Sequence, residues 1–426
     1  MRRTLLLFCL LLLLVLLWRE HSRTRAPRVY TLTSGRVDMC LACHKETPGK
    51  AHARGVVGCA DCHGGDPLTV EKARAHRGMV KNPADLRYAD RSCGRPECHP
   101  GYPERVKKSL MATNRGIITT LRYYWGETPD FREKISVEEL IKTGKDSPAL
   151  DYFRKLCGTC HLWLPRGKLP GFLREKGGGC AACHLVPGKK PKAEKPSFPG
   201  LPVSAKAHPI LTRKIPVRNC ARCHNRSGRI ALTYQGLYED EQYGTPIRDG
   251  TFGAEELPDG RFVERIPPDV HFKAGMSCVD CHVQNETMGD GKAYAHLEES
   301  LEITCEACHE GLGRTKKGTP LPNLIVKNGK IFWQAKLTGK LLAVKRPDPV
   351  ACRHPVHRRL ACWACHDRRV PQCFGCHVRR NAGEKQLDKL SFRETPGLWE
   401  EFRSYMRLES PTLGFYRRRV TVLVPG

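Results

Sequence analysis

The chain lacks an apolar run long enough to read as a full membrane span. Its longest, Leu5–Trp18, has fourteen residues, about 21 Å of helix against a hydrocarbon core of roughly 30 Å. That length suits the core of a signal peptide, with Arg2 and Arg3 in front of it. An Ala-x-Ala-type cleavage signal is also missing, so residues 1–27 are read as either a signal peptide or an uncleaved N-terminal membrane anchor. Cys9 does not make a lipoprotein, because it sits inside the run with Leu10 after it. Acidic residues are scarce: 44 against 72 Lys and Arg, a formal charge of +28. Such a bias usually points to nucleic acid, but no nucleic-acid-binding module is present, and that function is set aside. Apolar residues make up only 40% of 426, with 39 Gly and 31 Pro, which leaves little material for an ordinary core. Unpaired cysteines are almost absent too. Of 22, only Cys9 and Cys352 stand outside a repeated pattern.

That pattern is densest at Leu360–His377, LACWACHDRRVPQCFGCH, which holds Cys362/Cys365/His366 and Cys373/Cys376/His377. The same Cys-x-x-Cys-His spacing recurs at Cys40/Cys43/His44, Cys59/Cys62/His63, Cys157/Cys160/His161, Cys180/Cys183/His184, Cys220/Cys223/His224, Cys278/Cys281/His282 and Cys305/Cys308/His309. A tenth site, Cys93-Gly-Arg-Pro-Glu-Cys98-His99, has two extra residues between its thiols and is read as a stretched version. Paired cysteines can bind zinc or form disulfides. Neither role requires a histidine directly after the second cysteine, and here one follows every time. Cys-x-x-Cys-His is the attachment pattern of c-type haem: two thiols three positions apart reach the two vinyl groups on one porphyrin edge, and the histidine turns under the ring to the iron. Only six residues separate His366 from Cys373, so groups held there must lie close together.

Over Cys40–His377 the chain thus resembles the multihaem c-type cytochromes, and the pairing of close motifs is similar to the electron-carrying decahaem and filament-forming cytochromes of metal-respiring bacteria. The resemblance implies about ten covalently attached c-type haems. It also implies a multihaem fold, mostly irregular, with short α-helices and small β-hairpins wrapped around a chain of haems. Implied partners are other redox proteins: periplasmic or membrane cytochromes, or a quinol dehydrogenase. Haem attachment in that family occurs outside the bacterial cytoplasm, which implies export even though Arg19, Arg23, Arg25 and Arg28 after the apolar run would favour cytoplasmic retention of that side. The body would then sit on the periplasmic side of an inner membrane if anchored, and be periplasmic or extracellular if the leader is cleaved. Haem propionates would offset much of the positive charge.

Ten irons with a second axial histidine each would need ten further histidines. Outside the motifs and the leader the chain offers seven: His52, His76, His208, His271, His296, His354 and His357. The remainder could take methionine, which raises haem potential. Among Met79, Met111, Met276 and Met288, Met111 is preferred, because no spare histidine lies between His76 and His208. Alternatively one iron is left open. This choice separates two functions: relay of single electrons along the haems, and a multihaem oxidoreductase acting on a small nitrogen or sulfur compound at one open haem, for which His99 at the stretched site is the candidate. No site replaces the motif histidine with lysine, as one such enzyme group does.

The domain reading follows the haem sites. Residues 28–186 form an N-terminal module of five sites, and the Pro/Gly/Lys-rich stretch 187–202 is a linker. Residues 203–380 form a C-terminal module of five sites, and 381–426 a haem-free tail expected to wrap the body and to end in a strand at Arg419–Leu423. Within the haem-free stretch 100–156, Ser136-Val-Glu-Glu139 is a capping box, Gly144 a helix stop, and Ser147-Pro148 a second helix start leading into Cys157. Asn323–Val344 reads as three strands turning at Asn328-Gly329 and Thr338-Gly339, and Asp259-Gly260 as a further hairpin turn.

Overall fold

The computed structural model describes residues 11–16, 29–44, 48–53, 55–188, 207–226, 230–239, 255–257, 259–367, 370–373, 376–403 and 406–423. Short helices and small antiparallel sheets of two or three strands account for its regular structure. Among the described residues no helix is long and apolar enough to cross a membrane; most of the leader, 1–10 and 17–28, and most of the expected linker, 189–202, fall outside them.

Packing divides the chain into two compact units, Met1–Pro83 with Leu185–Thr212, and Ala84–His184 with Arg213–Gly426. They cut across the modules 28–186 and 203–380 expected from the sequence. The reason is local pairing: Leu185–Val186 forms an antiparallel ladder with Ile210–Leu211, and Leu211 N–H bonds to Pro48 O at 2.8 Å. The chain therefore returns to the first unit after His184. The paired-cysteine sites are divided two and eight, not five and five.

In the first unit a buried Asp38 ties two sites together. Its Oδ1 accepts the Cys40 amide at 3.1 Å and its Oδ2 the Cys59 amide at 2.7 Å. One carboxylate thereby caps the helical turns Cys40–Cys43 and Cys59–His63, satisfying amides that have no intrahelical acceptor.

The second unit holds the main apolar core. Leu86, Val106, Ile118, Val137, Leu140, Leu150, Phe153 and Trp163 meet there with Leu390 from the tail. The capping signals are met as written: Ser136 Oγ accepts the Glu139 amide at 3.2 Å, and Ser147 Oγ the Leu150 amide at 3.3 Å. Gly144 ends the first of these helices at φ +66°, a backbone state that disfavours any side chain. The stretch 100–156, the buttress, supplies most of this core.

The three strands expected between 323 and 344 are Leu324–Lys327, Lys330–Gln334 and Leu341–Val344, in one antiparallel sheet. Its Trp333 is buried against Ala307 and Leu321, and donates to Asp280 Oδ1 at 2.9 Å. Replacing Trp333 by alanine is expected to destabilise this sheet by about 3–5 kcal/mol, the usual range for an emptied aromatic site. Hydrogen exchange across 324–344 checks it.

The tail is more ordered than its composition suggests. Cys376–Asp388 pairs with Arg393–Arg403 in a long antiparallel hairpin, and Thr412–Tyr416 pairs with the expected strand Arg419–Leu423. The long hairpin is fixed to the buttress by buried charge. Lys155 Nζ bonds Asp151 Oδ1 at 2.7 Å, Pro396 O at 2.6 Å and Gly397 O at 2.7 Å. Asp151 Oδ2 also accepts Trp399 Nε1 at 2.9 Å. Trp125, Tyr152 and Trp399 pack mutually, with ring centroids 5.2–5.5 Å apart.

Candidate functional site

Most of the paired cysteines sit on single helical turns: Cys40–Cys43, Cys59–His63, Cys278–Cys281, Cys305–His309 and Cys362–His366, with Cys180 preceding Ala181–His184 and Cys220 inside Val217–Ala221. One turn places positions i and i+3 on the same side, which is what a pair of thiols reaching one edge requires. The turn is closed by the histidine: His44, His184, His224 and His282 N–H bond to the carbonyl of the first cysteine at 2.8–3.0 Å. The stretched site keeps this closure, with His99 N–H to Cys93 O at 2.9 Å, so its two extra residues are absorbed as turn between the thiols.

Two sites depart from the pattern. Cys157 ends a π-helical turn, Phe153–Cys157, and His161 is buried with Nε2 donating to Gly158 O at 3.2 Å and Nδ1 without a partner. Burial pushes the His161 imidazole down to about 4. Cys373 and Cys376 lie in strands, opposite Met406 and Arg403, and His377 is exposed.

Cys62 and Cys365 hold the same place in the motif but differ in exposure. Cys62 is half-buried on the turn Cys59–His63, which Asp38 holds through the Cys59 amide. Cys365 is exposed, as are Trp363 and His366 on the same turn. The turn Cys362–His366 buries none of its residues. It is held beside the last strand, where Ala361 N–H bonds Val420 O at 2.8 Å and Trp363 Nε1 donates to Thr421 Oγ1. Cys365 is left at the surface.

None of the cysteines from Cys40 to Cys365 is joined in a disulfide. Thiols of different motifs lie within hydrogen-bonding reach of one another: Cys40 with Cys59, Cys93 with Cys180, Cys160 with Cys223, Cys220 with Cys278, and Cys305 with Cys362. The shared proton makes one member more acidic. Cys93 and Cys278 are each pushed to about 7 by the partner thiol, while Cys180 and Cys220 are raised. Among the described residues no group of three or more His, Cys, Asp or Glu side chains converges as a tetrahedral zinc site needs.

The imidazoles come in twos. His44 faces His76 with ring centroids 6.1 Å apart, His63 faces His208 at 6.0 Å, and His271 faces His309 at 6.2 Å, each pair edge-on. Two imidazoles on opposite sides of one metal ion, each nitrogen about 2.0 Å from it, place their centroids about 6.3 Å apart. These gaps are therefore one ion wide.

The ring nitrogens are sorted accordingly. His63 Nδ1 donates to Val80 O at 2.8 Å, His76 Nδ1 to Lys72 O at 2.7 Å, His208 Nδ1 to Pro209 O at 2.6 Å and His309 Nδ1 to Lys345 O at 2.7 Å. His271 Nδ1 bonds Asp269 Oδ1 at 3.0 Å, and His282 Nδ1 bonds Glu286. An acceptor on Nδ1 fixes the tautomer with Nε2 bare, the outer-shell arrangement typical of metal-ligating histidine. Charge follows surroundings: burial lowers the His63 pKa, while the Asp269 and Glu286 carboxylates raise those of His271 and His282.

The other expected ligands are placed differently. His296 stacks on Phe131, centroids 4.4 Å apart, and its Nε2 donates to Phe131 O at 2.6 Å. The ring is thus stacked on and hydrogen-bonded to Phe131 rather than set beside a motif histidine. His354 and His357 lie beside each other, exposed, with His357 Nδ1 donating to Ala351 O at 2.7 Å. His52 is half-buried on the turn Lys50–His52. Met111 O accepts Leu162 N–H at 3.1 Å, which brings that methionine to the His161 segment. Met276 and Met288 pack at the edges of the apolar clusters.

The backbone acceptors at Val80, Lys72, Pro209 and Lys345 carry no sequence signal, since any residue supplies a carbonyl. Asp38 could have been suspected as a helix cap two positions before Cys40, but its second bond, to Cys59, could not. Comparison with protein-family models, with curated proteins and with solved structures finds no match for this chain.

Proposed function

We propose that this protein is a multihaem c-type cytochrome that relays single electrons along about ten closely spaced haems, in a respiratory or extracellular electron-transfer chain. The observation that carries the reading is the facing of motif histidines by non-motif histidines across a gap one ion wide, His44 with His76, His63 with His208 and His309 with His271. In each pair at least one Nδ1 is committed to an acceptor. A zinc or disulfide protein has no need of this arrangement.

The cysteine pairs would hold the haems through thioethers, Cys62 and Cys365 among them, and the facing imidazoles would ligate iron. The haem supplies one-electron redox chemistry at iron. The chain supplies ligand orientation and spacing. Two strong nitrogen ligands leave an iron no open position, so such sites pass electrons and do not bind substrate. The donors and acceptors are other redox proteins, reached on the periplasmic side of the membrane or beyond.

Mass spectrometry and the alkaline pyridine spectrum of the exported protein test this. About ten covalently added haems are expected, and Cys93→Ala/Cys98→Ala is expected to remove one. A mass equal to the bare polypeptide would end the proposal, and an unchanged haem count in the double variant would remove the stretched site.

A further inference from the structure

We infer that the arginine-rich face around the turn Cys362–His366 is where a partner protein with a carboxylate-rich surface docks to exchange electrons with this chain. The inference rests on the function proposed above and deepens it, by placing the partner and giving its charge.

Two segments build the face. Residues 351–359 are all exposed, Arg353, Arg358 and Arg359 among them, and they run directly into the turn Cys362–His366. Beside them lies the hairpin of Thr412–Tyr416 and Arg419–Leu423. Val420 N–H donates to Arg359 O at 2.8 Å, and Ala361 N–H to Val420 O at 2.8 Å. Arg419 Nη2 donates to Leu360 O at 3.2 Å. The hairpin is thereby fixed next to a turn whose Trp363, Cys365 and His366 are exposed.

At its tip the hairpin departs from local backbone preference. Tyr416 and Arg419 stand opposite each other, so Arg417 and Arg418 are the two loop residues. Both have positive φ, +48° and +66°. A two-residue hairpin turn of that kind is suited best by Asn-Gly, and a long side chain at either position is strained. Both arginines are exposed, so neither repays the strain by packing in a core. What they supply is charge at the tip.

That charge is unbalanced. Segments 346–367 and 410–423 hold seven arginines and two aspartates. Asp348 already accepts the Val350 and Ala351 amides, at 2.7 and 2.9 Å. The two propionates of one haem held at Cys362 and Cys365 would still leave the negative groups outnumbered by the seven arginines. Two of the guanidiniums lie on aromatic rings: Arg359 Cζ is 4.6 Å from the Phe415 ring centre, and Arg417 Cζ is 5.2 Å from that of Tyr416. A ring steadies the planar fork by its face and leaves the edge N–H groups for a carboxylate, which can take two at once. Phe415, Tyr416 and Val356 are exposed around them, and aromatic residues with arginine are the composition that protein interfaces favour. A second copy of this chain would bring the same arginines against these and be repelled. A redox partner has reason to come to an attachment turn, and a lipid surface has none. In the exchange one reduced centre loses an electron and one ferric haem gains it, with no atom transferred.

The test mixes the haem-loaded full chain with photoreduced plant-type ferredoxin, a small acidic one-electron carrier, and follows haem reduction by stopped flow. The rate is expected to fall as salt rises from about 0.01 M to about 0.15 M, where the Debye length shrinks from roughly 30 Å to roughly 8 Å. Arg417→Asn/Arg418→Gly removes both charges and relaxes the turn. It is expected to fold at least as firmly, with hydrogen exchange over 412–423 no faster, yet to be reduced about tenfold more slowly at low salt. Lys108→Gln/Lys145→Gln removes two exposed charges elsewhere in the same unit, and is expected to change the rate by less than about twofold. Reduction by neutral reduced lumiflavin is expected to be equal in all three proteins. An unchanged ferredoxin rate in the turn variant, or equal slowing in both variants, overturns the inference. So does a slower lumiflavin reaction in the turn variant, which would place the defect at the haem. Loss of binding to phosphatidylglycerol vesicles in the turn variant, with its ferredoxin rate kept, would give the face to a membrane instead. A wild-type mass without added haem would remove the proposed function alone. Titration calorimetry with oxidised ferredoxin then still reads the face, and the turn variant is expected to bind about tenfold more weakly.

Discussion

Replacing His208 by alanine is expected to turn one haem in about ten from low-spin to high-spin, and to open that iron to carbon monoxide. His208 stands across a gap one ion wide from His63, with Nδ1 held by Pro209 O at 2.6 Å. His63 is held in the same way by Val80 O at 2.8 Å, so the tautomer of both rings leaves Nε2 without a proton. Removing one leaves five-coordinate iron, with a shift in potential inside the roughly 0.8 V that axial ligands command. His296→Ala makes the contrast, because its Nε2 is already spent on Phe131 O, and the spin state of every haem is expected to stay as it was. Absorbance and electron paramagnetic resonance of the oxidised proteins, with carbon monoxide titration of the reduced ones, read both. A low-spin spectrum in the His208 variant would break the pairing of His63 with His208, and a high-spin haem in the His296 variant would return His296 to the ligand set.

The difference between these two histidines also marks how far sequence could be read. His208 and His296 look alike in the chain: each is a lone histidine upstream of a motif. Which one meets an imidazole depends on where a strand pair or a phenylalanine puts it, and neither partner is near in sequence. The repeat of paired cysteines was legible, because it is written in the spacing itself, and thiols at i and i+3 need only one helical turn to come together. Their burial was not: Cys62 and Cys365 hold the same place in the same motif, yet one is half-buried and the other exposed, because different distant segments hold their turns. The helix between Ser136 and Gly144 and the turns at Asn328-Gly329 and Thr338-Gly339 were also legible, since local backbone chemistry decides the outcome there. Domain division was not. It hinges on two-residue strands, Leu185–Val186 and Ile210–Leu211, too short to carry a pattern. The tail hairpin was missed for a related reason: its strands contain Pro396 and Gly397, which weaken any strand reading, and its stability is supplied from residues near 151–155.

That supply makes Lys155 the residue whose loss is expected to cost most outside the paired-cysteine sites. Its ammonium is completely buried, with side-chain exposure of 0%, and satisfied by one carboxylate and two carbonyls of the hairpin. Lys155→Met keeps the aliphatic stem and removes the charge. Asp151 then retains Trp399 Nε1 at 2.9 Å and Arg380 Nε at 3.2 Å, but Pro396 O and Gly397 O lose their donor. Breaking a buried ion pair from one side costs about 3–5 kcal/mol, and here the cost falls on the attachment of one hairpin. Hydrogen exchange over 376–403 is therefore expected to speed up by roughly a hundredfold to a few thousandfold through local opening, while exchange over the strands 324–344 changes little. The hairpin begins at Cys376 and His377, so the same variant is expected to load the Cys373/Cys376 site less completely than the other nine, which the distribution of haem number in the mass spectrum reveals. Unchanged exchange in 376–403 would mean that the strand ladder alone holds the hairpin. Equal loosening of both segments would mean that the buttress, rather than its link to the tail, had failed.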